Sequence, residues 1–267
     1  MKKSNLPKGV PPILYKLRNW NDANHREIIY HQRIYIPRPK ELNDPYDCNV
    51  QLDYLSLSPE ELDAYCKHLV LKYADALIQQ GFDLAEREAQ LLLRAQNRTQ
   101  FQLELDEMNF ELMNNRIGVL SLSKSWNNIP LWAHYGNNHK GFAIGFKTEK
   151  IVDCRYFQVG GEVEYVKTYP KIDPREEFNI EVWLKIITAK SEKWCYESEF
   201  RFVRRWENDS NQFWEFSHDW VEEIILGLNF SEFHIPDMIK ICEHMGWSLY
   251  KIEMTPLSFE LNRKQLV

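Results

Sequence analysis

Residues Trp194–Trp206 read WCYESEFRFVRRW. Apolar and polar side chains alternate along it, and a period of two marks a β-strand. As a single strand, the stretch puts Glu197, Glu199 and Arg201 on one face. Tyr196, Phe200 and Phe202 turn to the other, toward a core, with Ser198 the polar exception. Two carboxylates about 7 Å apart on one strand face repel each other unless a cation stands near, and Arg201 supplies part of that. One reading is an exposed face with a cross-strand ion pair. The other is a carboxylate pair in a cleft, able to orient a hydroxyl and stabilise an oxocarbenium-like transition state.

Outward from this stretch, more strands are expected. PPILYKLRNW (Pro11–Trp20) alternates Ile13, Tyr15 and Leu17 with Leu14, Lys16 and Arg18. A short helix follows, capped by Asn21 or Asp22, and then RIYIP, stopped by Pro37 and Pro39. ELNDPYDCN reads as a turn. IGVLSLSKS (Ile117–Ser125), GFAIGF (Gly141–Phe146), a segment within VGGEVEYV, WVEEIILGLNF up to Gly227, and a last strand in WSLYKIEMTP complete the set. IPLWAHYG is a short helix or turn. NIEVWLKIITAKSE and EFHIPDMIKICEHMG have helical spacing. Between the strands, Ser58-Pro59-Glu60-Glu61 is a helix start, and helical stripes run on to about Asn115, with a break near Gly81. This predicts one α+β domain over 1–267, with a mixed or antiparallel β-sheet core and an insertion of two or three helices over 58–115.

The bulk numbers bound the function. The chain has 267 residues and a net charge of −6, which argues against nonspecific coating of nucleic acid but leaves room for a local basic groove. Five scattered cysteines without C-x-x-C spacing suit reduced thiols. The N-terminal MKKSNLPKGVPP lacks the apolar region of a signal peptide, and no run of about 18 apolar residues is present. The expectation is a soluble cytoplasmic protein with no membrane partner.

Four features can carry chemistry. Ser121 and Ser123 share a strand face; such hydroxyls often do no more than bond nearby backbone. Arg18, at a strand end, can hold a phosphate bidentately or form a surface ion pair. The two carboxylates are the third feature. The fourth is PLWAHYGNNHKGFAIGF (Pro130–Phe146). His134 and His139 lie five apart, which is not the spacing of a helical metal pair, so no metal is expected. Trp132, His134, Tyr135 and His139 either wall a pocket for a base or nicotinamide ring, or form a structural corner with Trp132 in the core and the Asn pair in a turn.

LYKLR, ELNDPYD, LSLSKSWNNIPLWAHYGNNHKGFAIGF and AKSEKWCYESEFRF, in this order, resemble the bacterial DUF2971 family, whose name records no activity. The specific block is W-x-H-Y-x-x-x-H-x-G at Trp132, His134, Tyr135, His139 and Gly141. The order Arg18, Ser121-x-Ser123, Glu197-x-Glu199 also resembles ADP-ribosyltransferases of the Arg–Ser–Glu type. That resemblance implies an ADP-ribosyltransferase-like fold and NAD as substrate. Arg18 would hold the diphosphate, Ser121 and Ser123 would support the nicotinamide ribose, and Glu199 would be catalytic. Glu197 would orient the acceptor, and Tyr135 or Trp132 would stack on the nicotinamide. Such an enzyme would be a toxin or antiphage effector modifying a protein or nucleic acid, with a cognate inhibitor or chaperone as a further partner. The alternatives are a non-catalytic nucleotide- or partner-binding module, and a metal-independent hydrolase of nucleotides or nucleic acid using His134 or His139 with Glu199.

Overall fold

The computed structural model describes residues 9–176, 180–206 and 211–267. Met1–Lys8 and Asn179, which begins the helix expected at NIEVWLKIIT, lie outside them. The elements in order are β1 (Ile13–Arg18), α1 (Ala23–Tyr30), β2 (Arg33–Tyr35), α2 (Pro59–Lys72), α3 (Ala74–Gln79), α4 (Leu84–Ala95), α5 (Arg98–Asn114), β3 (Ile117–Ser123), α6 (Ile129–His134) and β4 (Phe142–Lys147). They continue with α7 (Thr148–Asp153), β5 (Val159–Glu162), β6 (Glu164–Val166), α8 (Ile180–Thr188), β7 (Ala189–Ser191), β8 (Glu199–Arg205), β9 (Phe213–Glu215), β10 (Val221–Leu226), α9 (Ile235–Met245), β11 (Ser248–Met254) and β12 (Leu261–Gln265). The class is α+β. Among the described residues, no helix is long and apolar enough to cross a membrane.

Eight strands form the main sheet in the order β12-β11-β10-β4-β1-β3-β8-β5. All pairs are antiparallel except β10 with β11. One face carries the largest apolar cluster: Leu14, Leu120, Leu122, Phe142, Ile144, Phe146, Phe200, Phe202 and Ile224 pack against Ile28 and Ile29 of α1, Trp214 of β9 and Met238 of α9. The other face is divided. Tyr15, Leu17, Ala143 and Ile225 meet Leu131 and Trp132, while Val119 and Val203 meet Met113, Val182 and Ile186. Leu120 and Leu122 face the core as expected, but Val119 is buried too, because both faces of β3 are covered.

Three local expectations are revised. The stretch 58–115 holds four helices. It breaks at Tyr73 and at Asn97 as well as near Gly81, each break marked by a new cap. The capping box at Ser58 is present: its hydroxyl accepts from Glu61 N, and Glu61 accepts from Ser58 N. β11 is not the last strand, since β12 follows it and pairs antiparallel with it. Finally, the strand read across Trp194–Trp206 begins only at Glu199. Glu192–Glu197 is a 3-10 turn ended by Ser198 in the left-handed conformation, so Glu197 does not follow the strand's alternation.

The corner after α6 positions the centre of the sheet. Asn137, Asn138 and His139 all have φ between 49° and 65°, and they turn the chain back on itself so that His139 N donates to the Trp132 carbonyl at 3.1 Å. Gly141 then passes directly over β1: a Cβ there would stand 2.0 Å from the Arg18 carbonyl oxygen. No rotamer relieves a clash with backbone. Gly141→Ala is expected to lose about 2–4 kcal/mol in a urea titration. Gly161→Ala, whose Cβ would meet its nearest neighbour at an ordinary 3.5 Å, is the matched control and should lose far less.

Candidate functional site

Two neighbouring features on the sheet hold the residues singled out in the sequence: a buried ionic cluster and an opening in the backbone ladder between β1 and β3, which share a single register pair.

The cluster centres on Arg201, which is wholly buried. Its Nε donates to Glu199 Oε1 at 2.7 Å, and its Nη2 donates to Glu199 Oε2 at 3.0 Å and to Asp47 Oδ2 at 2.7 Å. Nη1 donates to the Ile187 carbonyl at 2.5 Å. Lys190 Nζ lies 3.1 Å from Glu199 Oε2, 2.5 Å from Glu197 Oε2 and 3.3 Å from Asp47 Oδ2. Three carboxylates thus face two buried cations. Burial raises the pKa of Glu199, but the charges and hydrogen bonds of Arg201, Lys190 and Ser121 outweigh it and hold the carboxyl at about 2. Lys190 is raised by the surrounding carboxylates despite its own burial.

Toward the surface, Tyr135 Oη donates to Glu197 Oε1 at 2.6 Å and accepts from Asn43 Nδ2 at 3.0 Å. Trp194 lies over Lys190, 5.2 Å from ring centre to Nζ. His134 Nδ1 is 3.0 Å from Tyr196 Oη, and the rings of His134, Trp194 and Tyr196 meet edge to face or tilted. This exposed aromatic patch is the ring-bearing wall of the cluster.

Trp132 does not offer that wall. It is 0% exposed, packs with Leu131 and Ala143, and donates from Nε1 to the Trp126 carbonyl. His139 stacks on it at 6.3 Å, within the left-handed corner. Of the ring residues expected to bind, His134 and Tyr135 reach the cluster's mouth, whereas Trp132 and His139 build the corner. Tyr196, expected in the core, is half-buried: its ring packs against the cluster of Leu131 and Trp132, and its hydroxyl meets His134.

The opening lies beside the cluster. β1 is laddered to β4 along its whole length, from Ile13↔Lys147 to Arg18↔Phe142, but touches β3 at one register pair, Tyr15↔Ser123. Past that bridge no further register pair joins the two strands. Lys16 reaches across with Nζ to the Ser121 carbonyl at 2.8 Å, in place of a backbone donor. Burial and the nearby Arg18 push the Lys16 ammonium down to about 7. Arg18, half-buried, forms no hydrogen bond or ion pair among the described residues; burial lowers it to about 10, and only Asp22 opposes that shift. His25 stands beside these two cations, pushed down to about 4 by burial and by Arg18. One lip of the opening is therefore basic and unpaired.

Ser121, Ser123, Glu199 and Arg201 share one face across β3 and β8, with Ser123↔Glu199 and Ser121↔Arg201 directly opposite. By alternation, Arg18 belongs to the other face of β1, with Leu14 rather than with these four residues. Ser123 is a buried knot whose hydroxyl lies 2.8 Å from the Glu197 carbonyl and 2.9 Å from that of Ser125. Sequence reading missed Asp47 and Lys190. Both stood inside motifs already noted, ELNDPYD and AKSEKW. Asp47 meets partners more than a hundred residues on, while Lys190 meets Glu197 and Glu199 seven and nine residues ahead, across a 3-10 turn that the strand reading did not contain.

Residues 131–202 match the family model DUF2971, described as a protein of unknown function. The match spans α6 through the first residues of β8 and so carries both Tyr135 and the Glu197–Glu199 pair; over this segment the family resemblance read from the sequence is borne out. No curated protein and no solved structure matches the chain.

Removing one member of a buried ion group leaves its partners uncompensated, at a cost of about 3–5 kcal/mol. Lys190→Met should destabilise the fold by that order in urea unfolding. A second consequence concerns pH. Because the folded Glu199 pKa lies below its ordinary value, its ion pairs contribute fully above about 4.5 and are lost as pH falls toward about 2. Acid unfolding of the wild type should therefore steepen across that window, and Glu199→Gln should flatten it.

Proposed function

We propose that the opening between β1 and β3 receives NAD, and that the protein is an ADP-ribosyltransferase-like enzyme with a protein or nucleic-acid acceptor. The supporting observation is that β1, β3 and β8, which bear Arg18, Ser121 and Ser123, and Glu199, are neighbours in the sheet, with an unpaired guanidinium at the lip of the only interrupted pairing among them. Arg18 and Lys16 supply positive charge for a diphosphate. His134, Trp194 and Tyr196 supply ring faces.

The chemistry is simple in kind. The bond from ribose C1′ to the nicotinamide nitrogen breaks, and nicotinamide leaves with the electron pair. Positive charge builds on the ribose, and a carboxylate stabilises it through the 2′-hydroxyl. The acceptor's nucleophile then bonds to C1′ and gives up its proton. A carboxylate offers about four acceptor sites. Arg201 and Lys190 take three at Glu199, and Ser121 is beside the fourth. Among the described residues, Glu197 accepts only from Tyr135 and Lys190. The capacity left over favours Glu197 for the ribose contact and Glu199 for holding Lys190 and Arg201 in place, which exchanges the roles implied by the resemblance.

The closure of both carboxylates in ion pairs favours a second reading, a nucleotide-binding module without catalysis. Arg18→Ala separates the outcomes without unfolding the protein, because Arg18 makes no bond to lose. Incubation with labelled NAD and a bacterial lysate should place label in the protein or nucleic-acid fraction, and Arg18→Ala should cut kcat/KM for NAD at least tenfold at unchanged melting temperature. Glu197→Gln should abolish transfer with NAD binding retained. NAD binding that Arg18→Ala removes, with no label transferred by the wild type, would identify the binding module; no binding at all would sink both readings.

Lys16 adds a pH signature. It is charged below about 7 and neutral above, so NAD binding should weaken as pH rises from 6 to 8. Lys16→Met should bind weakly with a flat profile, measured by calorimetry.

A further inference from the structure

We propose that the groove between the helical insertion and α8 is a docking site for an acidic, amphipathic helical segment of a partner protein.

The insertion has a small core of its own. Leu62, Cys66, Ala95, Phe101 and Leu105 pack with Tyr54 and Leu57 from the chain before α2. That core leaves an open groove of about 1450 Å³ between α2, α4, α5 and α8, larger than the roughly 300–1,000 Å³ of small-molecule pockets. Leu69, Leu91, Leu105, Met108, Leu112 and Trp183 line it. Met108 and Leu112 are about half exposed, at 47% and 49%. Aliphatic and methionine walls of this kind receive the aliphatic face of a helix, with side chains at i, i+4 and i+7 as anchors.

Charge selects the occupant. The chain as a whole carries −6, yet six Lys/Arg face four Asp/Glu along this groove. The glutamates of the wall are already neutralised: Glu61 by Arg175 at 2.6 Å, Glu104 by Arg94, and Glu176 by Lys185 at 3.9 Å. Lys72, Arg87, Arg116 and Arg205 have no ion pair among the described residues; Lys72 and Arg87 rest on the rings of Tyr73 and Phe82. Free positive charge around an apolar trough complements a helix that is aliphatic on one side and acidic on the other. Asp106 is the exception on the floor. Its Oδ1 accepts from Gln102, and its Oδ2 is buried with no partner among the described residues. Burial raises its pKa, so it weighs little against an acidic partner. A single-stranded nucleic acid would also answer the positive rim, and it needs open ring faces for base stacking. Five aromatic side chains line the groove, Tyr54, Tyr65, Tyr73, Phe110 and Trp183, against twelve aliphatic or methionine ones, and Tyr54 is buried, so the aliphatic face of a helix is the better match.

The test is a selection of displayed random 16-residue peptides on the full-length protein, with counter-selection on an Arg116→Glu, Arg205→Glu variant. Neither side chain forms an ion pair among the described residues, so the variant should melt with the wild type, which a thermal scan checks first. Enriched peptides should carry Asp or Glu on one helical face and Leu, Ile or Met on the other. Their synthetic versions should bind at least tenfold more weakly to the variant by fluorescence anisotropy, and scrambled versions should bind as weakly to the wild type. Leu112→Asp should weaken binding as well. Enrichment of basic peptides, or of none, would overturn the proposal. So would equal binding by the charge-reversed variant, or tighter binding of a labelled 20-nucleotide oligo-dT that Arg116→Glu, Arg205→Glu abolishes.

Discussion

Arg201 is a cation buried in the middle of a sheet face, and much of the surrounding structure exists to keep it paired. A guanidinium at this depth is tolerated only when its donors are met and its charge is balanced. The balance comes from three separate places: Glu199 two residues away on the same strand, Asp47 from the loop before the insertion, and the Ile187 carbonyl at the end of α8. Lys190 then joins Asp47, Glu199 and Glu197, and Tyr135 extends the network to α6. Loops and turns with little apolar surface are thereby fixed in place by charge. Mispairing any of them leaves a buried ion alone, so the cluster contributes more to which arrangement forms than to how stable it is.

The cluster also divides the sheet's second face. Apolar patches flank it on either side, one built on Tyr15, Leu17 and Trp132, the other on Val119, Val203 and Ile186. Between them a polar path to the surface runs along Glu197 and Tyr135, under the rings of His134, Trp194 and Tyr196. A second hollow, of about 210 Å³, reaches Lys190 from beside Asp44, Tyr46 and Tyr169. Scaffold and candidate site are thus made of the same side chains, with the exception of Arg18.

What could be read in the sequence followed the range of the signal. Strands β1, β3, β4 and β10 and the helix start at Ser58 rest on patterns a few residues long, and all were legible. Glu197 was misplaced because one residue, Ser198, takes a left-handed conformation and resets the alternation before β8. Trp132 looked like a binding ring because its neighbours are polar; its burial is decided by the corner at Asn137–His139, where three successive residues adopt positive φ. Asp47 carried no local mark of its role, since its partners Lys190 and Arg201 stand more than a hundred residues on. Lys190 has Glu197 and Glu199 close by in the chain, but the 3-10 turn between them is what folds the three together.

The single bridge between β1 and β3 has a mechanical meaning. By backbone pairing the sheet is two ladders, β12 to β1 and β3 to β5, joined at one register pair and the Lys16 tether. Prising β3 from β8 would break a ladder running from Ile117↔Arg205 to Ser123↔Glu199. Spreading β1 from β3 would instead part Leu14 and Ile144 from Leu120, Leu122 and Phe200 in the apolar core. The seam beside the buried charges is thus closed by side-chain packing on one face, where every other seam of the sheet is closed by backbone hydrogen bonds.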